Sequence, residues 1–211
     1  MWLKAFKVSF LVSRMIREEY LEEERVKELA KKFRTNKPFS HVVLKNFFKE
    51  EFVKKVKGAL EKEEFERMDS DLLSFEQTKD LSGTKNEILK VFYTYLNGIE
   101  MKEYIRRLTN KNVFGKVDAS GFVYCSGDYL LPHDDCLEKR RVAFVLTLTD
   151  LEEEDGGSLD FFKGKKKVRS FISEENMFIL FEVRENKSVH QVAEILREKE
   201  RVSIGGWFNG E

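Results

Sequence analysis

Near Val113 the hydrophobic period of the chain changes, and this limits the available folds more than any other feature. Upstream, apolar residues recur at helical spacing. Over residues 11–34, Val12, Met15, Ile16, Tyr20, Val26, Leu29, Ala30 and Phe33 fall close to one face, with Glu and Lys between them. The spacing predicts a helix there, with Glu22-Glu23-Glu24 on its solvated side and Asn36-Lys37-Pro38 as its stop. A short strand is expected at His41–Leu44, and a helix over about 49–63. An extended segment at Asp71–Phe75 leads to a turn at Ser82-Gly83. Further helices are expected over Lys85–Leu96, stopped by left-handed Asn97-Gly98, and over Met101–Leu108.

Downstream the pattern is that of strands. Runs rich in Val, Phe, Tyr, Ile and Leu at 121–125, 142–149, 158–162, 167–172, 176–183, 187–193 and 201–208 alternate with turn residues such as Ser126-Gly127-Asp128, Asp155-Gly156-Gly157 and Lys163-Gly164. Short strands at this spacing predict a sandwich or barrel, and helices followed by strands predict an α+β chain. No repeat is visible, and the two prolines mark no linker.

At 211 residues the chain can bury about 70% of the surface its unfolded form would expose, so no metal or disulfide is needed to hold a core. Positive and negative side chains balance at 38 each, and no global field steers the protein to nucleic acid or anionic lipid. Cys125 and Cys136 are too few for a disulfide framework and do not match zinc spacing; they read as reduced thiols of an intracellular protein, cytoplasmic with the nucleus open to it. The apolar run Phe10-Leu11-Val12 is too short for a signal core or a membrane span, so no membrane association is expected.

Chemistry concentrates in Leu130-Leu131-Pro132-His133-Asp134-Asp135. In an extended loop the side chains of His133 and Asp135 point the same way and can share one ion. His190 stands at the head of a later strand-like run, and Arg201 follows eleven residues on. Two imidazoles and a carboxylate form a facial set that holds iron(II) and leaves positions open. A guanidinium such as that of Arg201 can pair with a buried carboxylate. His41, with no acid or second histidine close in sequence, reads as a strand-start residue. The basic turn Lys163-Gly164-Lys165-Lys166-Lys167 reads either as a solvated turn blunting a sheet edge or as a phosphate contact. The acidic run Glu152-Glu153-Glu154-Asp155 is a solvated loop or an attractor of a basic peptide. Gly156-Gly157-Ser158 is not a nucleophile elbow, and no Walker loop is present.

Taken together, Tyr124, Leu130–Asp135, Arg140–Leu146, Gly156–Asp160, Val189–Val192 and Arg201–Gly210 resemble the iron(II)/2-oxoglutarate prolyl hydroxylases that modify a small-subunit ribosomal protein near the decoding centre. The likeness extends over about residues 38–210. It implies a double-stranded β-helix (jelly-roll) core flanked by N-terminal helices, with residues 1–37 a helical extension and 38–211 the dioxygenase domain. In that family His133, Asp135 and His190 would be the metal ligands and catalytic centre. Arg201 would hold the 2-oxoglutarate tail, and Tyr124 would line the cosubstrate pocket. The implied cofactors are iron(II) and 2-oxoglutarate, with ascorbate as an optional addition. The implied partner is a protein, with nucleic acid met only indirectly through the ribosome.

The chain departs from that family at two places. Thr147 stands where the family carries a tyrosine that hydrogen-bonds the cosubstrate, and a second β-helix domain follows in familiar members where this chain stops at Glu211, implying a single-domain form. Two alternatives are a non-catalytic β-helix scaffold and a related dioxygenase with another protein or a nucleic-acid substrate. Trp207 stands where nucleotide-demethylating relatives carry a second arginine, and the intact metal set argues against the scaffold.

Overall fold

The computed structural model describes residues 15–211, so Val12 and the apolar start of the chain lie outside the described residues. Helix α1 spans Glu23–Thr35 and is shorter than the spacing predicts. Ahead of it, Ile16 bridges Phe48, and a single 3₁₀ turn covers Glu18–Tyr20. The apolar side chains here are buried by tertiary contacts without a helix: the Tyr20 ring meets Phe47 edge-on at 5.2 Å, and its hydroxyl donates to the Lys45 carbonyl at 2.6 Å. Glu23 and Glu24 occupy the first turn of α1, where carboxylates favour the helix dipole, while Val26, Leu29, Ala30 and Phe33 face inward.

Three more helices follow: α2 (Glu50–Leu60), α3 (Glu87–Asn97) and α4 (Ile99–Thr109). Asn86 caps α3 by accepting from Ile88 and Leu89 N–H. The α3–α4 junction is not the left-handed stop expected. Gly98 is extended (φ −64°, ψ 146°) and serves as N-cap of α4; the left-handed cap comes at Asn110 (φ 56°). Asn97 accepts from Val117 N–H instead, tying the helix end to the sheet.

The strands are β1 (His41–Lys45), β2 (Phe65–Ser70), β3 (Leu73–Thr78), β4 (Val117–Tyr124), β5 (Tyr129–His133), β6 (Arg140–Thr147), β7 (Leu159–Lys163), β8 (Lys166–Phe171), β9 (Met177–Glu182), β10 (His190–Val192) and β11 (Arg201–Asn209). They form one curled antiparallel sheet in the order β1-β9-β6-β11-β4-β3-β5-β10-β7-β8, with β2 paired to β3. The segment expected at 71–75 is the second arm of a hairpin: Asp71-Leu72 is the turn and β3 begins at Leu73. Strand β2 is almost wholly exposed and lacks apolar alternation, so no periodic signal marks it.

Alternation sorts the sheet into two faces. On β11, Val202, Ile204 and Phe208 join the core shared with the helices, as do Phe144 and Leu146 of β6 and Phe178 and Leu180 of β9. Phe178 is fully buried, stacked on Phe47 with centroids 5.0 Å apart and touching Phe48 and Phe144. Burying each such ring contributes about 1.5–3 kcal/mol. Met15, Ile16 and Tyr20 belong to the same core. The opposite face, with Ala143, Ile179, Phe181, Leu159 and Phe161, curls into a separate apolar cluster. This two-layered curl is a double-stranded β-helix. No helix among the described residues is long and apolar enough to cross a membrane.

Candidate active site

The concave face of the curl holds a cavity of about 250 Å³. His133 ends β5, His190 begins β10, and the two are cross-strand partners with ring centroids 4.2 Å apart. Asp135 joins them by a different route from the extended loop expected. It sits at φ +59°, in the left-handed region that aspartate tolerates better than most residues. Its Oδ1 lies 3.4 Å from His133 Nε2, and its Oδ2 lies 3.2 Å from His190 Nε2. Ligand atoms of the three residues fall within 4.8 Å of one another.

Hydrogen bonding fixes which ring nitrogen is available. His133 Nδ1 lies 2.9 Å from the Leu131 carbonyl, and His190 Nδ1 lies 2.9 Å from the Ser188 carbonyl. A carbonyl only accepts, so both Nδ1 atoms carry a proton and Nε2 is the atom each ring turns toward Asp135, donating to the carboxylate when the ring is protonated and presenting a lone pair when it is neutral. Burial opposes ionisation of Asp135, but hydrogen bonds and charge from the two imidazoles outweigh it and hold the carboxyl well below the usual range. For His133 burial again opposes the charged form, and Asp135 more than offsets it, raising the ring above its ordinary value. Two lone pairs and a carboxylate converging on one point are a donor set for a divalent cation of the iron(II) type.

Arg201 and Tyr124 are cross-strand partners on β11 and β4, with the guanidinium 5.5 Å from the ring centroid. Arg201 is 3% exposed and has no ion pair among the described residues. Nη1 donates to Ser203 Oγ at 3.1 Å, while Nε is buried with no partner. Burial lowers the guanidinium's pKa and outweighs the opposing effect of Tyr124. Burial likewise drives the Tyr124 phenol well above its ordinary value. Gly157 (φ +67°) packs against the Arg201 stem; a side chain there would collide with Ile195, crowd Leu151 and come within 3.4 Å of Arg201 Cδ.

Thr147 does not reach this cavity. It follows Ala143 and Val145 along β6, but its hydroxyl is turned to the carbonyls of Glu174 and Met177 (3.1 Å to the latter). The residue expected to replace the family's tyrosine is therefore a strand-end clamp. Other side chains line the cavity instead. Ser203 and Trp207 share Arg201's face at steps of two along β11, a periodicity already visible in sequence. Gln77 arrives from β3, where only the non-local pairing with Phe122 places it. Arg140 sits with Cζ 3.3 Å from the Trp207 ring centroid and Nη1 3.8 Å from Asp135 Oδ1. Burial lowers its pKa, partly countered by Asp135 and Asp118.

Residues 119–209 match the family model described as the 2OG-Fe(II) oxygenase superfamily. The chain is 35% identical over 182 residues to a Xenopus laevis protein named prolyl 3-hydroxylase OGFOD1, covering 82% of this chain and 35% of that protein. It is 31% identical over 166 residues to Drosophila melanogaster prolyl 3-hydroxylase sudestada1, covering 72% of this chain and 31% of the relative. The chain thus spans about a third of the length of these curated relatives. Among solved structures, a Pseudomonas putida prolyl-4-hydroxylase superposes with TM-score 0.72 at 16% identity, covering 87% of this chain and 99% of that one. A Trichoplax adhaerens prolyl hydroxylase in complex with a hypoxia inducible factor peptide fragment gives 0.68 at 14% identity, covering 90% and 95%.

Proposed function

We propose that this chain, whose residues 119–209 match the 2OG-Fe(II) oxygenase superfamily, hydroxylates a prolyl residue of a protein substrate. The observation that carries the reading is Arg201, a buried guanidinium without a counter-ion among the described residues, in the same cavity as His133, Asp135 and His190. An unpaired buried charge is costly, and a carboxylate ligand removes that cost. Arg201, with the Ser203 hydroxyl beside it, would pair with the distal carboxylate of 2-oxoglutarate.

His133, Asp135 and His190 would hold the iron. When bound, iron(II) and 2-oxoglutarate supply the oxidation: dioxygen is consumed, 2-oxoglutarate becomes succinate and carbon dioxide, and one oxygen atom passes to the prolyl ring. The protein's part is positional. The carbonyls of Leu131 and Ser188 keep both imidazoles in the Nδ1–H form, so the Nε2 lone pairs remain available. Tyr124 supports the Arg201 guanidinium and, with Phe75 and Val192, keeps that part of the cavity apolar. Arg140, stacked on Trp207, places a planar donor and an aromatic surface beside the metal set, where a prolyl ring and its neighbouring carbonyl can rest.

The relatives named prolyl 3-hydroxylases support a protein substrate, and the motif resemblance supports a small-subunit ribosomal protein as that substrate. The test incubates the full chain with iron(II), 2-oxoglutarate and ribosomal small-subunit protein, following succinate and peptide mass. Substrate-dependent succinate with a gain of one oxygen on proline is expected. Failure to bind 2-oxoglutarate refutes the oxygenase reading; binding without modification of that protein refutes only the substrate.

A further inference from the structure

Next to the loop that carries Asp134 and Asp135 lies a second concavity, of about 420 Å³, between the end of α1, the β7–β8 hairpin and the turn at 184–187. The turn is fastened to the loop by Asn186 N–H donating to Asp134 Oδ2 at 2.8 Å. Arg34, Lys37, Lys163, Arg184 and Lys187 line the concavity. All five are exposed, and none makes an ion pair among the described residues. The one acid in the lining, Glu182, is buried and already paired with Lys111 at 3.2 Å. Glu185 is the other acid in the turn.

The positive surface continues along the hairpin. Between residues 161 and 173 the sequence has Lys163, Lys165, Lys166, Lys167 and Arg169 and no Asp or Glu. Lys167 pairs with Asp160 at 3.3 Å. Lys163 and Lys166 are direct cross-strand partners, an arrangement of like charges that disfavours the hairpin unless an anion lies across it. Strand β8 is the last in the sheet and is exposed over Lys166–Ser170. Composition does not force this concentration: charges balance overall, and lysines elsewhere are neutralised locally, as in Lys27–Glu24, Lys54–Glu50 and Lys90–Glu87.

We propose that this groove docks single-stranded RNA. The cations suit any polyanion, but the lining also offers a partly exposed aromatic ring, Phe162, together with Pro38, and a stacking platform within a basic groove suits unpaired bases. An acidic peptide has no use for such a platform, and a flat lipid surface does not enter a concavity. Ser40 and Asn186 on the lining add groups able to meet a ribose 2′-hydroxyl. Strand β7 joins the two sites: Phe161 packs toward His190, and Phe162 faces the groove. RNA held there would lie beside the loop of the catalytic site without entering the cavity. This inference stands apart from the catalytic reading, because it needs neither metal nor cosubstrate.

Fluorescence anisotropy with the full chain and labelled oligouridine tests it, with oligodeoxythymidine, polyglutamate and phosphatidylserine vesicles as parallel arms. The RNA arm is expected to bind, with log affinity falling by about 0.7 per phosphate contact per decade of salt. The double variant Lys163→Glu/Lys187→Glu should weaken binding at least tenfold and flatten that slope, whereas Lys90→Glu, on α3, should change neither. Phe162→Ala should weaken binding roughly fivefold or more at unchanged slope. Far-UV circular dichroism and urea midpoints confirm that the variants fold. Absence of RNA binding at low salt, or binding indifferent to the double variant, overturns the proposal. Equal binding of DNA, polyglutamate or vesicles overturns the assignment to RNA.

Discussion

Replacing Arg201 with methionine should move ligand affinity and folding stability in opposite directions. Arg201 is 3% exposed, has no ion pair among the described residues, and donates a single hydrogen bond, to Ser203. The ligand-free fold therefore carries a desolvated charge with little compensation. Substituting an apolar side chain of similar length for a buried ion is often neutral or stabilising, by about 1–4 kcal/mol. The hydrogen bond to Ser203, which methionine cannot make, places this site toward the low end, so the urea midpoint should stay level or rise. In the proposed complex with 2-oxoglutarate the same guanidinium would face a carboxylate, and truncating one partner of a buried charge pair costs about 2–5 kcal/mol. At 1.4 kcal/mol per decade, affinity should fall from roughly thirtyfold to a few thousandfold. Arg201→Lys should lie between, since an ammonium keeps the charge and loses the fork. Calorimetric titration of 2-oxoglutarate into manganese-loaded protein, alongside urea unfolding of ligand-free protein, reads both quantities. If Arg201→Met binds 2-oxoglutarate as well as the parent, or lowers the ligand-free stability by several kcal/mol, Arg201 is a structural residue and the reasoning is wrong.

Asp135→Gly should keep the left-handed backbone and lose the carboxylate, reducing iron(II) affinity by about a hundredfold or more while the fold survives; metal content after gel filtration would show this. Thr147→Val should lower stability by about 1 kcal/mol through the lost hydrogen bond and leave 2-oxoglutarate affinity within twofold, whereas a large affinity loss would return Thr147 to the cosubstrate site. Burial opposes ionisation of Asp128, but the Arg67 fork, Cys125 N–H and Ser74 hold its carboxyl below the ordinary value. Its contribution to stability is therefore present above the unfolded value of about 4 and disappears as pH falls through the lower folded value, so Asp128→Asn should flatten the stability profile below about pH 4. Phe178→Ala should cost about 3–5 kcal/mol by leaving a cavity among Phe47, Phe48 and Phe144, read as a shift in the urea midpoint.

What the sequence determined by itself was whatever is written at short range. Helical spacing before Val113 and alternation after it locate three of the four helices and most strands to within a few residues, because one buried face imposes a period on its own segment. The pair His133 and Asp135 and the distal His190–Arg201 spacing were legible as chemistry, since scarce residue types in a β-rich half stand out. Where burial came from distant partners, the period misled: Ile16 and Tyr20 are spaced like a helix and are covered by Phe48 and Phe47 instead. Strand β2 carries no apolar signal, because it pairs at an exposed edge. Only the tertiary structure decided that Asp135 turns left-handed to meet both imidazoles, that Thr147 spends its hydroxyl on carbonyls of the 174–177 segment, and that Gln77 and Arg140 enter the cavity. Each of these depends on register between strands far apart in the chain. Alternation fixes which side chains of one strand share a face; which faces meet is settled by pairing across the sheet.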